Sequence, residues 1–267
     1  MTVAASFEIE YLQYLGPDGK PVGELPEAFR DPKALLPLFK QMLFVRTFDS
    51  KAIKLQRTGK LGTYAASLGH EATHVGIGAS MKPEDVFAPS YREYGAQFMR
   101  GVKPREVLLY WGGDERGNDF AEAKNDYPWC VPISTQCLMA AGAALSFKLR
   151  GQDRIAVACC GDGGSSKTDF YAALNSSGAF KSPLVLCVVN NGWAISVPRH
   201  AQTGAATLAQ KGLAGGLHCL QVDEEINAYL ETKVQPVEAM FDYLYAELPA
   251  DLAAQRDAAL AWEQRNG

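Results

Sequence analysis

From Asp31 to about Gly59 the apolar side chains recur three and four residues apart, at Leu35, Phe39, Met42, Leu43 and Phe48. That period predicts a long amphipathic helix, with Asp31 as its N-cap and Pro32 at its first turn. The segment "SLGHEATHVGIGASM" predicts a second helix rich in small residues, and "DVFAPSYREYG" a short strand running into a polar turn. In "PISTQCLMAAGAALSFKLRG", Ser134 or Thr135 can cap a helix, Ala140 to Ala144 allow close packing, and Gly151 can end it. The period then changes. "RIAVACC", "TDFYAALNSSGAFKS" and "LVLCVVNN" read as strand, helix and strand, and the uninterrupted apolar strands predict an α/β fold whose parallel sheet has helices on both faces. Ligands of such sheets sit beyond the carboxyl ends of the strands, where Gly161-Asp162-Gly163 and Asn190-Asn191 lie. Residues 1–30, with "LGPDGKPVGELPEAF", predict an irregular arm of the kind that lies on a partner subunit.

Composition narrows the class. The 267 residues are 47% hydrophobic and 21% charged, enough for a sizeable core. A net charge of -4 without a dense Lys/Arg block argues against nucleic acid as a partner. The basic group Lys51, Lys54, Arg57 and Lys60 has helical spacing and reads as a solvated face. Six cysteines without a C-x-x-C pair read as reduced thiols, which predicts a cytoplasmic location. No basic-then-apolar leader and no run of about eighteen apolar residues is present, so neither export nor a membrane is expected.

The turn "ACCGDGGSS" carries the chemistry. It nearly fits the dinucleotide pattern G-x-G-x-x-G/A, but fails at the last glycine, and the next strand ends in Asn190-Asn191 rather than an acidic residue for a ribose. A carboxylate facing a pyrophosphate repels it unless a cation stands between. Mg²⁺ resolves the conflict, since it takes a few protein oxygens plus phosphate oxygens. Asp162 offers a carboxylate oxygen, Asn191 an amide oxygen, and the backbone carbonyl of Trp193 a third, while the N–H groups of Gly163 and Gly164 face the phosphates.

GDG followed by a helix, a strand and NN resembles the signature of thiamine-diphosphate enzymes. The longer stretch "GDGGSSKTDFYAALNSSGAFKSPLVLCVVNNGWAIS" is similar to the alpha subunit of the E1 component of 2-oxo acid dehydrogenase complexes. "GKLGTYAASLGHEA", "FAPSYREYGAQFMRG", "AQKGLAGGLHCLQVD" and "FDYLYAELPADLAAQ" extend the similarity over nearly the whole chain. The resemblance implies a thiamine-diphosphate-binding fold with thiamine diphosphate and Mg²⁺ between an alpha and a beta subunit, alpha holding the diphosphate. It places the family's diphosphate contacts on Tyr91 and Arg92, and its support for the bent cofactor on Ile133 beside the backbone of Val131. A guanidinium suits phosphate bidentately, and an apolar wedge between the two rings orients the reacting centre. The implied activity is decarboxylation of a 2-oxo acid, pyruvate before branched-chain acids, with acyl transfer to the lipoyl group of an E2 component. The activating glutamate is expected from an E1 beta subunit, within an α2β2 heterotetramer.

Two departures from the family follow. Lys167-Thr168 stand where the family has a small acidic or amide residue and glycine; Lys167 can aid anion binding or be solvated. After "CLQVD" the family continues through a strand and a histidine-bearing active-site loop, whereas Asp223 here runs into "EEINAYLETKVQPVEAMF". We expect this segment to be a mobile loop missing from the numbered residues; the competing account is a real deletion that leaves a partner-binding relic. None of His70, His74, His200 and His218 matches the family's loop histidine. His70 and His74, four apart, lack a third ligand and read as structural or surface residues. The expected organisation is an arm over 1–30, the cofactor-binding α/β domain over 31–223 and a C-terminal helical segment over 224–267. Competing classes are a nicotinamide-dependent oxidoreductase, which leaves the Asp162 and Asn191 pairing unexplained, and a non-catalytic assembly subunit, which needs no metal-diphosphate anchor.

Overall fold

The computed structural model describes residues 2–16 and 20–222, together with Ala253, Asp257 and Ala261, which are helical. The joint after Asp223 and the expected segment 224–267 otherwise lie outside the described residues. The chain divides into two units, one of Met1–Leu12 with Leu25–Gln221 and one of Gln13–Glu24 with Val222–Gly267. Of the second unit, the described N-terminal part is a small turn in which Gly16 N–H donates to Lys20 O at 2.7 Å and Val22 N–H to Tyr14 O at 3.0 Å.

The first unit begins with β1 (Glu10–Leu12) and a single 3-10 turn at Glu27–Phe29. Helix α1 (Pro32–Arg57) starts where its sequence says, with the Asp31 carboxylate accepting from Lys33 N–H at 2.9 Å. Then come α2 (Glu71–Ser80), β2 (Val86–Ala88), α3 (Tyr94–Met99), α4 (Pro104–Trp111) and α5 (Thr135–Leu149). The strand-helix-strand unit is β3 (Ala156–Gly161), α6 (Thr168–Phe180) and β4 (Leu184–Val189). A short hairpin of β5 (Trp193–Ala194) and β6 (Val197–Pro198) leads to α7 (Arg199–Gln202), α8 (Ala209–Ala214) and β7 (Leu220–Val222). The N-terminal arm is not irregular throughout, because β1 pairs with β7.

The sheet is parallel, in the order β2-β3-β4, with Phe87 opposite Val157 and Gly161 opposite Val189. Alternation along the strands sends side chains to two cores. Val86, Ala88, Ala156, Ala158 and Cys160 pack on α5 and α6, while Phe87, Val157 and Cys159 pack with Ala96 of α3 and Ile77 of α2. Alanines 140, 141 and 144 are buried, and their small size lets α5 lie close to the sheet. Gly151, at a φ of 63°, follows the end of α5 as its sequence predicts. A third, aromatic core joins Phe48 of α1 to Tyr94, Trp111 and Trp129. The six cysteines are all free thiols, and among the described residues no helix is long and apolar enough to cross a membrane.

Candidate cofactor-anchoring site

Helix α6 carries the chain from the end of β3 to the start of β4, so the two strands end side by side. Asp162 N–H donates to Val189 O at 3.1 Å, which extends the ladder by one residue and places the aspartate next to Asn190-Asn191. Gly163 faces Ala194 of β5: a Cβ there would collide with the alanine methyl and stand 3.5 Å from Gln202 Oε1. A Cβ on Gly164 would come within 2.8 Å of Ser134 Oγ. Both glycines are therefore required by close approach.

Asp162 is 2% exposed, yet among the described residues its carboxylate receives one long hydrogen bond, 3.3 Å from Gln202 Nε2, and no ion pair. The same Nε2 donates to Val197 O at 2.8 Å, which fixes the amide orientation and leaves Gln202 Oε1 buried without a donor. Asp162 is thus a buried carboxylate with a single weak donor and no direct cation partner among the described residues. That environment fits a small hard cation. Asn191 is exposed and its Oδ1 accepts from Trp193 N–H at 3.0 Å, a turn that holds the Trp193 carbonyl next to the strand end. In the one-turn helix Gly164–Ser166, Ser165 N–H donates to Asp162 O at 3.1 Å and Ser166 N–H to Gly163 O at 3.2 Å, which leaves the Gly163 and Gly164 N–H groups without a backbone acceptor among the described residues.

Tyr91 and Arg92 stand just past β2, the third strand end of the row. The guanidinium lies over the Tyr91 ring at 5.3 Å and donates to Ala66 O. Glu93 builds the bend beneath them: its carboxylate accepts from Ser90 Oγ at 2.8 Å, Ser90 N–H at 2.9 Å and Arg92 N–H at 3.2 Å. Burial pushes the Glu93 carboxyl above the usual carboxylate range, against those hydrogen bonds. Cys130 N–H donates to Ser90 O at 3.0 Å, which draws Val131 and Ile133 to the same rim. Both are partly exposed, at 46% and 42%.

Ser134 occupies the N-cap of α5 but does not cap it. Its φ of 67° turns the hydroxyl away from the helix, and Oγ donates to Gly164 O at 2.7 Å. Gln136 Nε2 donates to Cys159 O at 2.6 Å in the same region. The start of α5 is thus tied to β3 and to the turn that follows it. Gln202, Ser134 and Gln136 contact β3 or the turn after it, and the sequence reading did not single them out as candidate site residues. Lys167, exposed at the N-cap of α6, remains at the edge of the site.

His70 is the N-cap of α2 and His74 lies inside it, fully buried, with neither ring nitrogen hydrogen-bonded among the described residues. A surface role for His74 is therefore excluded. Burial, followed by the positive charges of His70 and Arg92, holds the His74 imidazole down to about 3, so it is neutral. Among the described residues no group of three or more His, Cys, Asp or Glu is placed to hold a metal ion, so an anchor at Asp162 would draw on amide and backbone oxygens.

A family model described as dehydrogenase E1 component matches residues 39–225. The chain is 39% identical over 223 residues to the pyruvate dehydrogenase E1 component subunit alpha of Acholeplasma laidlawii, covering 84% of this chain and 64% of that one. Proteins of the same description from Bacillus cereus (38% identity, 83% and 59% covered) and Staphylococcus aureus strain Mu50 (36%, 85% and 62%) are similar. The chain belongs to the dehydrogenase E1 component family. It spans about three-fifths of the length of these relatives.

Proposed function

We propose that this chain is the alpha subunit of a thiamine-diphosphate-dependent E1 component, the subunit that anchors the cofactor's diphosphate through Mg²⁺. The observation that carries the reading is the buried Asp162 carboxylate, without a cation partner among the described residues, at the end of a parallel strand. Asp162, Asn191 and the Trp193 carbonyl would hold Mg²⁺, and the Gly163 and Gly164 N–H groups with Arg92 and Tyr91 would hold phosphate oxygens. Ile133 and Val131 would support the ring end of the cofactor.

When bound, thiamine diphosphate supplies the carbanion chemistry of 2-oxo acid decarboxylation. This chain's residues bind and orient it. We take pyruvate as the substrate because the relatives above are pyruvate dehydrogenase subunits, and a lipoyl-bearing E2 component as the acyl acceptor. Branched-chain 2-oxo acids are the alternative substrate. Catalysis requires an E1 beta subunit to supply the activating glutamate, in an α2β2 assembly, and a cytoplasmic location accords with six free thiols.

Calorimetric titration with thiamine diphosphate of the full chain, mixed with an E1 beta subunit, tests the anchor. Binding should require Mg²⁺, and Asp162→Ala should weaken it about 100-fold or more, the size of breaking a buried charge pair. Binding that ignores Mg²⁺, or survives in the variant, sinks the reading.

A further inference from the structure

The turn that follows Asp162 is held from below by one buried cation. Lys211, on α8, is 5% exposed, and its Nζ donates to Ser165 Oγ at 2.8 Å, Ser165 O at 2.9 Å and Ser166 Oγ at 3.3 Å. Ser165 Oγ donates in turn to Asp162 O at 2.6 Å, so a continuous chain of hydrogen bonds joins the ammonium to the backbone of the anchor aspartate. The Tyr171 ring lies 5.5 Å from Nζ. Among the described residues no carboxylate lies within ion-pair distance of Lys211. Its partners are neutral oxygens and an aromatic face.

A buried ammonium that meets only neutral partners among the described residues is an unfavourable way to hold a serine turn, because desolvation of the ion opposes folding. A neutral side chain could pack there at less cost. Such an arrangement makes physical sense when an anion completes it. The two serines that Lys211 holds follow Gly163 and Gly164 directly in the chain, and the N–H groups of those glycines have no backbone acceptor among the described residues.

We propose that Lys211 is a positioning residue for the diphosphate, its charge without a carboxylate partner among the described residues and offset when a diphosphate occupies the Gly163–Gly164 turn. The inference rests on the anchor reading given above. Lys211 acts through Ser165 and Ser166 and through its field, at low local dielectric, without touching the reacting atoms. A lysine serving only as scaffold and one retained for an anion differ in a measurable sign. Removing the scaffold lowers the stability of the free protein; removing an uncompensated charge leaves it unchanged or raises it.

The test uses the full chain and two variants, Lys211→Met and Lys211→Arg, with thermal melting in the absence of ligand and, with an E1 beta subunit present, calorimetric titration with thiamine diphosphate at fixed Mg²⁺. For Lys211→Met we expect an unchanged or higher ligand-free melting midpoint, with affinity weakened about tenfold or more, the size of one charge-assisted hydrogen-bonding group. Lys211→Arg should bind within about threefold of the unaltered chain, and the affinity of Lys211→Met should depend less steeply on ionic strength. A ligand-free midpoint lowered by several degrees in Lys211→Met, or an affinity equal to that of the unaltered chain, overturns the inference. Failure of the unaltered chain to bind Mg²⁺ and thiamine diphosphate overturns the anchor reading instead, while the ligand-free comparison still decides whether Lys211 is scaffold.

Discussion

Gly163 shows how a missing atom serves the site. Ala194 is packed so closely on it that Gly163→Ala must displace either the turn or β5. The expected cost is about 1 to 3 kcal/mol by urea denaturation, with a larger fractional loss of cofactor binding than of stability. His74 gives a residue-scale prediction in pH. Its folded-state value near 3 lies below the unfolded value of about 6.5, so between those limits the unfolded chain binds the extra proton. The contribution is therefore complete above pH 6.5 and is lost as pH falls towards 3. His74→Leu should remove this slope, reducing the loss between pH 7 and 4.5 by about 2 to 3 kcal/mol relative to the unaltered chain in matched urea titrations.

At the scale of elements, the ends of helices and strands carry more information than their middles. Arg100 closes α3 and forms a buried ion pair with Asp126, Nε to Oδ2 at 2.6 Å, while also donating to Asp85 O at 2.7 Å and Lys82 O at 3.1 Å. Asp126 Oδ1 accepts from Phe87 N–H at 3.0 Å, so the pair fixes α3 to β2. Asp126→Ala should cost about 3 to 5 kcal/mol in urea denaturation, because Arg100 stays buried and unpaired; Arg100→Met with Asp126→Leu should recover much of it. The sustained periods of α1, α5, α6, β3 and β4 were legible in the sequence, as were the position of Asp162 at the end of β3 and the caps at Asp31 and Gly151. Ser134 was misread because a hydroxyl at an N-cap has a strong local use, and here a carbonyl 30 residues away, that of Gly164, competes for it successfully. Gln202 and Lys211 could not be found by spacing at all. Their partners Asp162 and Ser165 stand 40 and 46 residues distant, and only folding brings them together.

At the scale of the molecule, the first unit offers a polar floor with an apolar rim. Asp162, Ser165 and Lys211 are buried, while Val131, Ile133, Trp193 and Ile195 are exposed around the strand ends. That division fits a subunit that holds one end of a cofactor and leaves the other to a partner, and the full chain mixed with thiamine diphosphate, Mg²⁺ and pyruvate but no beta subunit should release no CO₂ above background. The rim also has an optical consequence. Trp111 and Trp129 are buried at 9% and 6% exposure, whereas Trp193 is 55% exposed and belongs to the turn proposed to hold the metal. Its indole should emit at long wavelength and be open to collisional quenching by acrylamide. Arrival of a ligand at the anchor would then report itself in intrinsic fluorescence without a label, and Trp193→Phe would silence the signal while leaving the backbone carbonyl in place.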